Sequence, residues 1–154
     1  MELERSLERM RTDHFDLYQL HAVTTMEDVD TIFSKGGAME TFIEARKEGK
    51  IRYIGFSAHS VEAAMALMDN FDFDTLLFPV NYTTWHAGNF GPQVLQRAHD
   101  KGMVILALKA MAKGPWPEGT ADKIAKCWYE PLTDPEEALE GLRFTLSHPV
   151  TAAL

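Results

Sequence analysis

The sequence holds a single cysteine, Cys127, among 154 residues. No internal disulfide can form, and no paired Cys or Cys/His cluster has the spacing of a zinc site, so neither cross-links nor a structural metal holds the fold together. That usage fits a reducing, intracellular setting, and a cytoplasmic location is expected. Basic residues are also scarce: 15 Lys and Arg stand against 23 Asp and Glu, a formal net charge of -8. No Lys/Arg cluster traces a path along a phosphate backbone, which argues against nucleic acid as a partner. Apolar runs stop short of the length that spans a bilayer, and the charged, amphipathic stretch Met1 to Arg11 lacks the apolar core of a signal peptide. Membrane insertion and secretion are both disfavoured. The G-x-G-x-x-G turn is missing too, which weakens the case for an open, doubly wound dinucleotide fold.

What is present is an ordinary globular composition, 45% hydrophobic and 25% charged, enough to bury the core of one domain. Strand and helix patterns alternate along it. Glu2 to Met10 reads as a helix and Phe15 to His21 as the first strand. Glu27 to Phe33 and Ala38 to Glu48 read as helices separated by Gly36-Gly37, the second closed by Gly49. Ile51 to Ser57 is the second strand. Ser60 is a candidate N-cap for a helix over Val61 to Asn70, and Thr75 to Tyr82 is the third strand. A polar, aromatic loop with Trp85 and His86 follows. Pro92 to Lys101 reads as a helix closed by Gly102, and Met103 to Met111 as strand four. Asp134-Pro-Glu-Glu137 is a strong helix start, from which Leu139, Leu142 and Leu146 are expected to face inward. Val150 to Leu154 begins a fifth strand. The segment Ala112 to Thr133, rich in proline and aromatics, is expected to form a partly ordered lid.

A parallel sheet needs its edges covered or closed, and an α/β barrel closes with eight strands over roughly 250 residues. The five strand patterns therefore predict an α/β fold of parallel strands alternating with helices: a partial TIM (β/α)8 barrel, with residues 1–154 the C-terminal portion of one barrel domain. In such barrels chemistry sits at the carboxyl ends of the strands.

Leu7 to Asp13 leading into Phe15-Asp-Leu-Tyr-Gln-Leu-His21, then Glu48 to Ser57, resemble the central motifs of the aldo/keto reductase family. Pro79-Val-Asn-Tyr82, Gly102 to Gly114 and His148-Pro-Val-Thr151 resemble strands six, seven and the entry to strand eight, in the same order and spacing. The Ser57-Ala-His59 ending and Lys109 resemble a branch whose members often carry an iron-sulfur segment, none of whose cysteines occurs here.

The resemblance implies hydride transfer between NADPH, or alternatively NADH, and a small aldehyde or ketone. It makes His21 the active-site histidine that donates a hydrogen bond to the carbonyl oxygen; the bland alternative is a histidine ending a strand. Ser57 takes the place of the residue that bonds the nicotinamide carboxamide, and its alternative is a strand-end cap. The family's next residue, Asn, is here Ala58, so His59 either substitutes or one contact is lost. Where the family has Gln this chain has Pro79, leaving Asn81 as the nearest polar candidate. Leu108 stands where an aromatic ring usually supports the nicotinamide. Lys109, beside it, is a candidate partner for a cofactor phosphate, against a plain solvated lysine. Trp85 and Trp116 are candidates for the substrate pocket. No metal ligand set is expected.

The family's Tyr, Lys and Asp come from the first three strands, and no residue here is assigned their parts. By the resemblance the piece alone is expected to be inactive. Two rivals remain: a barrel relative that binds nucleotide without turnover, and a half-barrel module that self-associates to cover its edges.

Overall fold

Leu3 and Leu7, one helical turn apart, are the buried residues of α1 (Glu2–Met10). The computed structural model describes residues 2–120 and 127–154. These form two compact units, Met1–Leu76 and Leu77–Leu154.

In the first unit α1 leads into β1 (Phe15–Val23), which pairs in parallel with β2 (Ile51–Ala58), from Phe15 opposite Ile51 to Leu20 opposite Phe56. A parallel pair needs a crossover. It is made by α2 (Met26–Phe33) and α3 (Ala38–Lys47), which bury Val29 and then Met39, Phe42 and Ala45. α2 starts on a capping box: the Thr25 side chain accepts from the Asp28 amide, and Asp28 reaches back to the Thr25 amide. β2 is buried without interruption from Ile54 to Ala58, as a strand covered on both faces must be. Ser60 caps α4 (Val61–Asn70) by accepting from the Ala63 amide at 3.2 Å, as its position predicted. The chain then enters β3 (Thr75–Pro79) through Asp74, which ties itself to Ile54 by an N–H donated to the Ile54 carbonyl and a carboxylate that accepts the Ile54 N–H, both at 2.8 Å.

In the second unit the end of β3 is followed by α5 (Tyr82–Gly88), α6 (Pro92–Asp100) and β4 (Val104–Leu108). β5 (Ala112–Gly114) and β6 (Glu130–Pro131) pair antiparallel, α7 (Pro135–Leu146) follows, and β7 (Ala152–Ala153) returns parallel to β4. Asp134 accepts from the Glu136 and Glu137 amides, as expected of that helix start.

Three expectations are corrected here, for β3, β4 and α7. β3 stops at Pro79, not Tyr82, because Asn81 caps a helix that takes in Trp85 and His86, residues expected in a loop. β4 ends at Leu108, because Lys109 turns the backbone to a φ of 59°. The Ala112 to Thr133 segment has its two ends paired as β5 and β6; residues 121–126 lie outside the described ones. α7 buries Gly141 and Thr145, leaving Leu139 and Leu146 47% and 54% exposed. Among the described residues no helix is long and apolar enough to cross a membrane.

Candidate functional site

The carboxyl end of β1 is irregular. Leu20 faces Phe56 and Val23 faces Ala58, so two residues of β1, His21 and Ala22, stand against one of β2, Ser57. The extra residue is a bulge, a device that re-aims side chains where a strand ends. Its backbone signature is Ala22, an L residue at a φ of 53°. Ser57, only 2% exposed, accepts the Ala22 N–H on its Oγ at 2.7 Å, and the His59 N–H donates to the Val23 carbonyl at 3.1 Å. The first unit thus brings together His21, Ser57 and His59 within one tied strand end.

His21 itself is exposed and lines a cleft of about 280 Å³ with Ala22, Val23, Asp28, Thr31 and Ile32. The Asp28 carboxyl is held below its usual range, chiefly by the backbone N–H of Thr24, then that of Thr25. A negative charge is thereby kept on the cleft wall at the start of α2. Ala58 is fully buried and offers no polar group.

In the second unit Asn81 is 1% exposed. Its Oδ1 accepts the Thr84 N–H at 3.0 Å, capping α5, while its Nδ2 is buried with no partner. A buried orphan donor costs on the order of 1–3 kcal/mol, so the position calls for an acceptor. Leu108, half-buried, accepts the Val80 N–H on its carbonyl at 3.0 Å. Lys109 holds its Nζ 5.8 Å from the centre of the Tyr129 ring, a cation–π contact. Burial pushes the Tyr129 phenol up, with the charge of Cys127 a smaller contribution.

Trp85 and Trp116 have separate partners. Trp85 packs against His148 at 4.1 Å and edge-on to Phe144 at 6.1 Å, while the Trp116 indole N–H donates to the Cys127 carbonyl at 2.7 Å. A cleft of about 290 Å³ in this unit, with Tyr82, Leu132, Glu137, Glu140 and Phe144 among its walls, is lined by none of the predicted site residues. Sequence reasoning missed Ala22, since nothing marks an alanine for positive φ. It also missed the Asn81 cap, although Asn before Tyr-Thr-Thr is a readable helix start.

A model of the Aldo/keto reductase family matches residues 1–136. The chain belongs to that family. It is 30% identical over 115 residues to an uncharacterized oxidoreductase of Bacillus subtilis, YrpG, an alignment covering 73% of this chain and 33% of that protein. It overlays the holo form of aldo-keto reductase AKR11C1 from Bacillus halodurans with a TM-score of 0.66 and 20% identity, over 99% of this chain and 52% of that one. It also matches an aldo-keto reductase from Klebsiella pneumoniae in complex with NADPH, with a TM-score of 0.51 and 22% identity, over 68% of this chain and 34% of that one. The fold is accordingly that of a partial (β/α)8 barrel, and the chain spans about half the length of the solved reductase it overlays most fully of these.

Proposed function

We propose that this chain supplies His21 and part of the cofactor cradle of a reductase that acts on a small aldehyde or ketone, using NADPH, with NADH as the alternative donor. The observation that carries this is the bulge at Ala22, which leaves His21 exposed at the carboxyl end of a barrel strand in a family of carbonyl reductases. His21 donates a ring N–H to the carbonyl oxygen, and that bond strengthens as negative charge gathers on the oxygen. Hydride is what the nicotinamide supplies when bound. The resemblance assigns protonation to a tyrosine on an earlier strand, and no tyrosine of this chain is given that part.

The donor set suits a nicotinamide. Ser57 Oγ receives the Ala22 N–H and keeps its own proton free to donate to a carboxamide oxygen. The buried Nδ2 of Asn81 suits a carbonyl acceptor. Lys109, resting on an aromatic face, carries the charge for a phosphate, Leu108 offers apolar support, and His59 stands beside Ser57 as a further polar group. Trp85 and Trp116 remain the proposed substrate contacts. NADPH is favoured over NADH by the likeness to the Klebsiella reductase, and the cytoplasm is the proposed location.

A second reading, nucleotide binding without turnover, draws on the buried Ala58 and on Pro79, each lacking a carboxamide. One experiment separates the two. The longest natural reading frame containing this chain is titrated with NADPH by nicotinamide fluorescence and then given 4-nitrobenzaldehyde. Binding followed by NADPH consumption supports the reductase; binding alone supports the second reading; no binding contradicts both.

A further inference from the structure

We propose that Ser57 is a positioning residue for His21, acting through the backbone of Ala22. This rests on the reading of His21 as the group that bonds the substrate oxygen. The argument starts from register. Strand side chains alternate between faces, so one added residue sends every later side chain to the opposite side. In β1 that added residue falls between Leu20 and Val23, so His21 sits inside the irregular step rather than in the regular ladder. Ala22 holds the bulge at a φ of 53°, a conformation an L residue adopts only when its surroundings impose it. Two bonds impose it here. Downstream, the Val23 carbonyl accepts the His59 N–H at 3.1 Å; at the bulge itself, the Ala22 N–H donates to Ser57 Oγ at 2.7 Å.

The second bond is the decisive one, because a bulged N–H has lost its place in the ladder. Ser57 is 2% exposed and replaces the missing ladder acceptor with its own hydroxyl oxygen. Remove that oxygen and the Ala22 N–H is left without its partner, and the strained backbone relaxes toward regular pairing, carrying His21 with it. Ser57 thus has two assignments that a simple alanine substitution confounds: its oxygen holds Ala22, and its proton faces the cofactor. The two separate in a double-mutant cycle, since a residue that acts through His21 has nothing to act on once the imidazole is gone.

The test uses S57A, S57C and H21A, singly and combined, in the longest natural reading frame containing the chain. Hydrogen exchange at the Ala22 amide is read first. S57A and S57C are expected to speed it about tenfold relative to the Tyr18 amide on the same strand, the size of one hydrogen bond. S57C retains the size of the side chain but accepts weakly, and so covers the case in which S57A does not fold. Turnover at saturating NADPH is read second. Loss of the Ser57 hydroxyl is expected to lower kcat about tenfold with His21 present and less than twofold in the H21A background. Unchanged exchange at Ala22, or a kcat loss that persists in full without His21, overturns the positioning role. If H21A alone turns over normally, the reading of His21 fails instead, while the exchange result still decides whether Ser57 holds the bulge.

Discussion

Thr145, fully buried in α7, donates its hydroxyl to the carbonyl oxygen of Val80 at 2.8 Å. The bond ties the helix to the backbone just after β3, one residue before Asn81. Thr145→Val keeps the shape and removes the donor. A loss of about 0.5–1.5 kcal/mol is expected in urea unfolding. A change within about 0.3 kcal/mol would show that the bond carries no net stability.

Gly55 is a second structural determinant. A Cβ built there would come within 2.0 Å of Thr75 Oγ1 and 3.0 Å of Gln19 Nε2, two groups that share a 3.1 Å hydrogen bond. Gly55→Ala is expected to cost about 1–3 kcal/mol by overpacking. Removing the Thr75 side chain beyond Cβ makes room, so G55A combined with T75A should lose less than the sum of the two single variants. Strict additivity in the unfolding free energies would contradict the clash.

The Asp28 carboxyl lies below its ordinary value because it accepts from Thr24 and Thr25. A carboxylate lowered by folding stabilises the native state above its unfolded pKa, and that contribution is lost as pH falls through the folded value. The Thr24 and Thr25 amides are therefore expected to stay bonded at neutral pH and to release only below the ordinary carboxylate range. Amide shifts followed by NMR test this. In Asp28→Asn the acid step at these two amides should vanish, and its persistence would assign the titration to another group.

Asn81 offers a variant that separates capping from binding. Asn81→Ser retains an oxygen for the Thr84 N–H and removes the unpartnered Nδ2. Stability is expected to change by less than about 1 kcal/mol, while NADPH binds about tenfold more weakly, the worth of one hydrogen bond. Undiminished NADPH affinity with an intact fold would remove Asn81 from the cradle.

Much of this fold is legible in the chain. The start of α4 at Ser60 and of α7 at Asp134 follows from single capping residues, because those bonds are local. The ends of β3 and β4 were overrun for a physical reason: Asn81 and Lys109 end strands through backbone geometry while lying inside apolar stretches that look continuous. The inward face of α7 was misassigned because its tightest contact uses Gly141 and Thr145, a small and a polar residue that no apolar periodicity detects. For the site, the residue types of His21 and Ser57 pointed to chemistry only through the family motif. Their link through Ala22 could not be read at all, since a bulge pairs residues distant in sequence and leaves no mark on composition.

The central claim is that His21 bonds the reacting carbonyl oxygen, and His21→Ala tests it most directly. In the longest natural reading frame containing this chain, steady-state NADPH consumption with 4-nitrobenzaldehyde is compared between the two proteins. Loss of a donor aimed at developing charge predicts a fall in kcat of about 10²–10³ with NADPH affinity unchanged. Turnover within a few-fold of the unsubstituted protein would contradict the account.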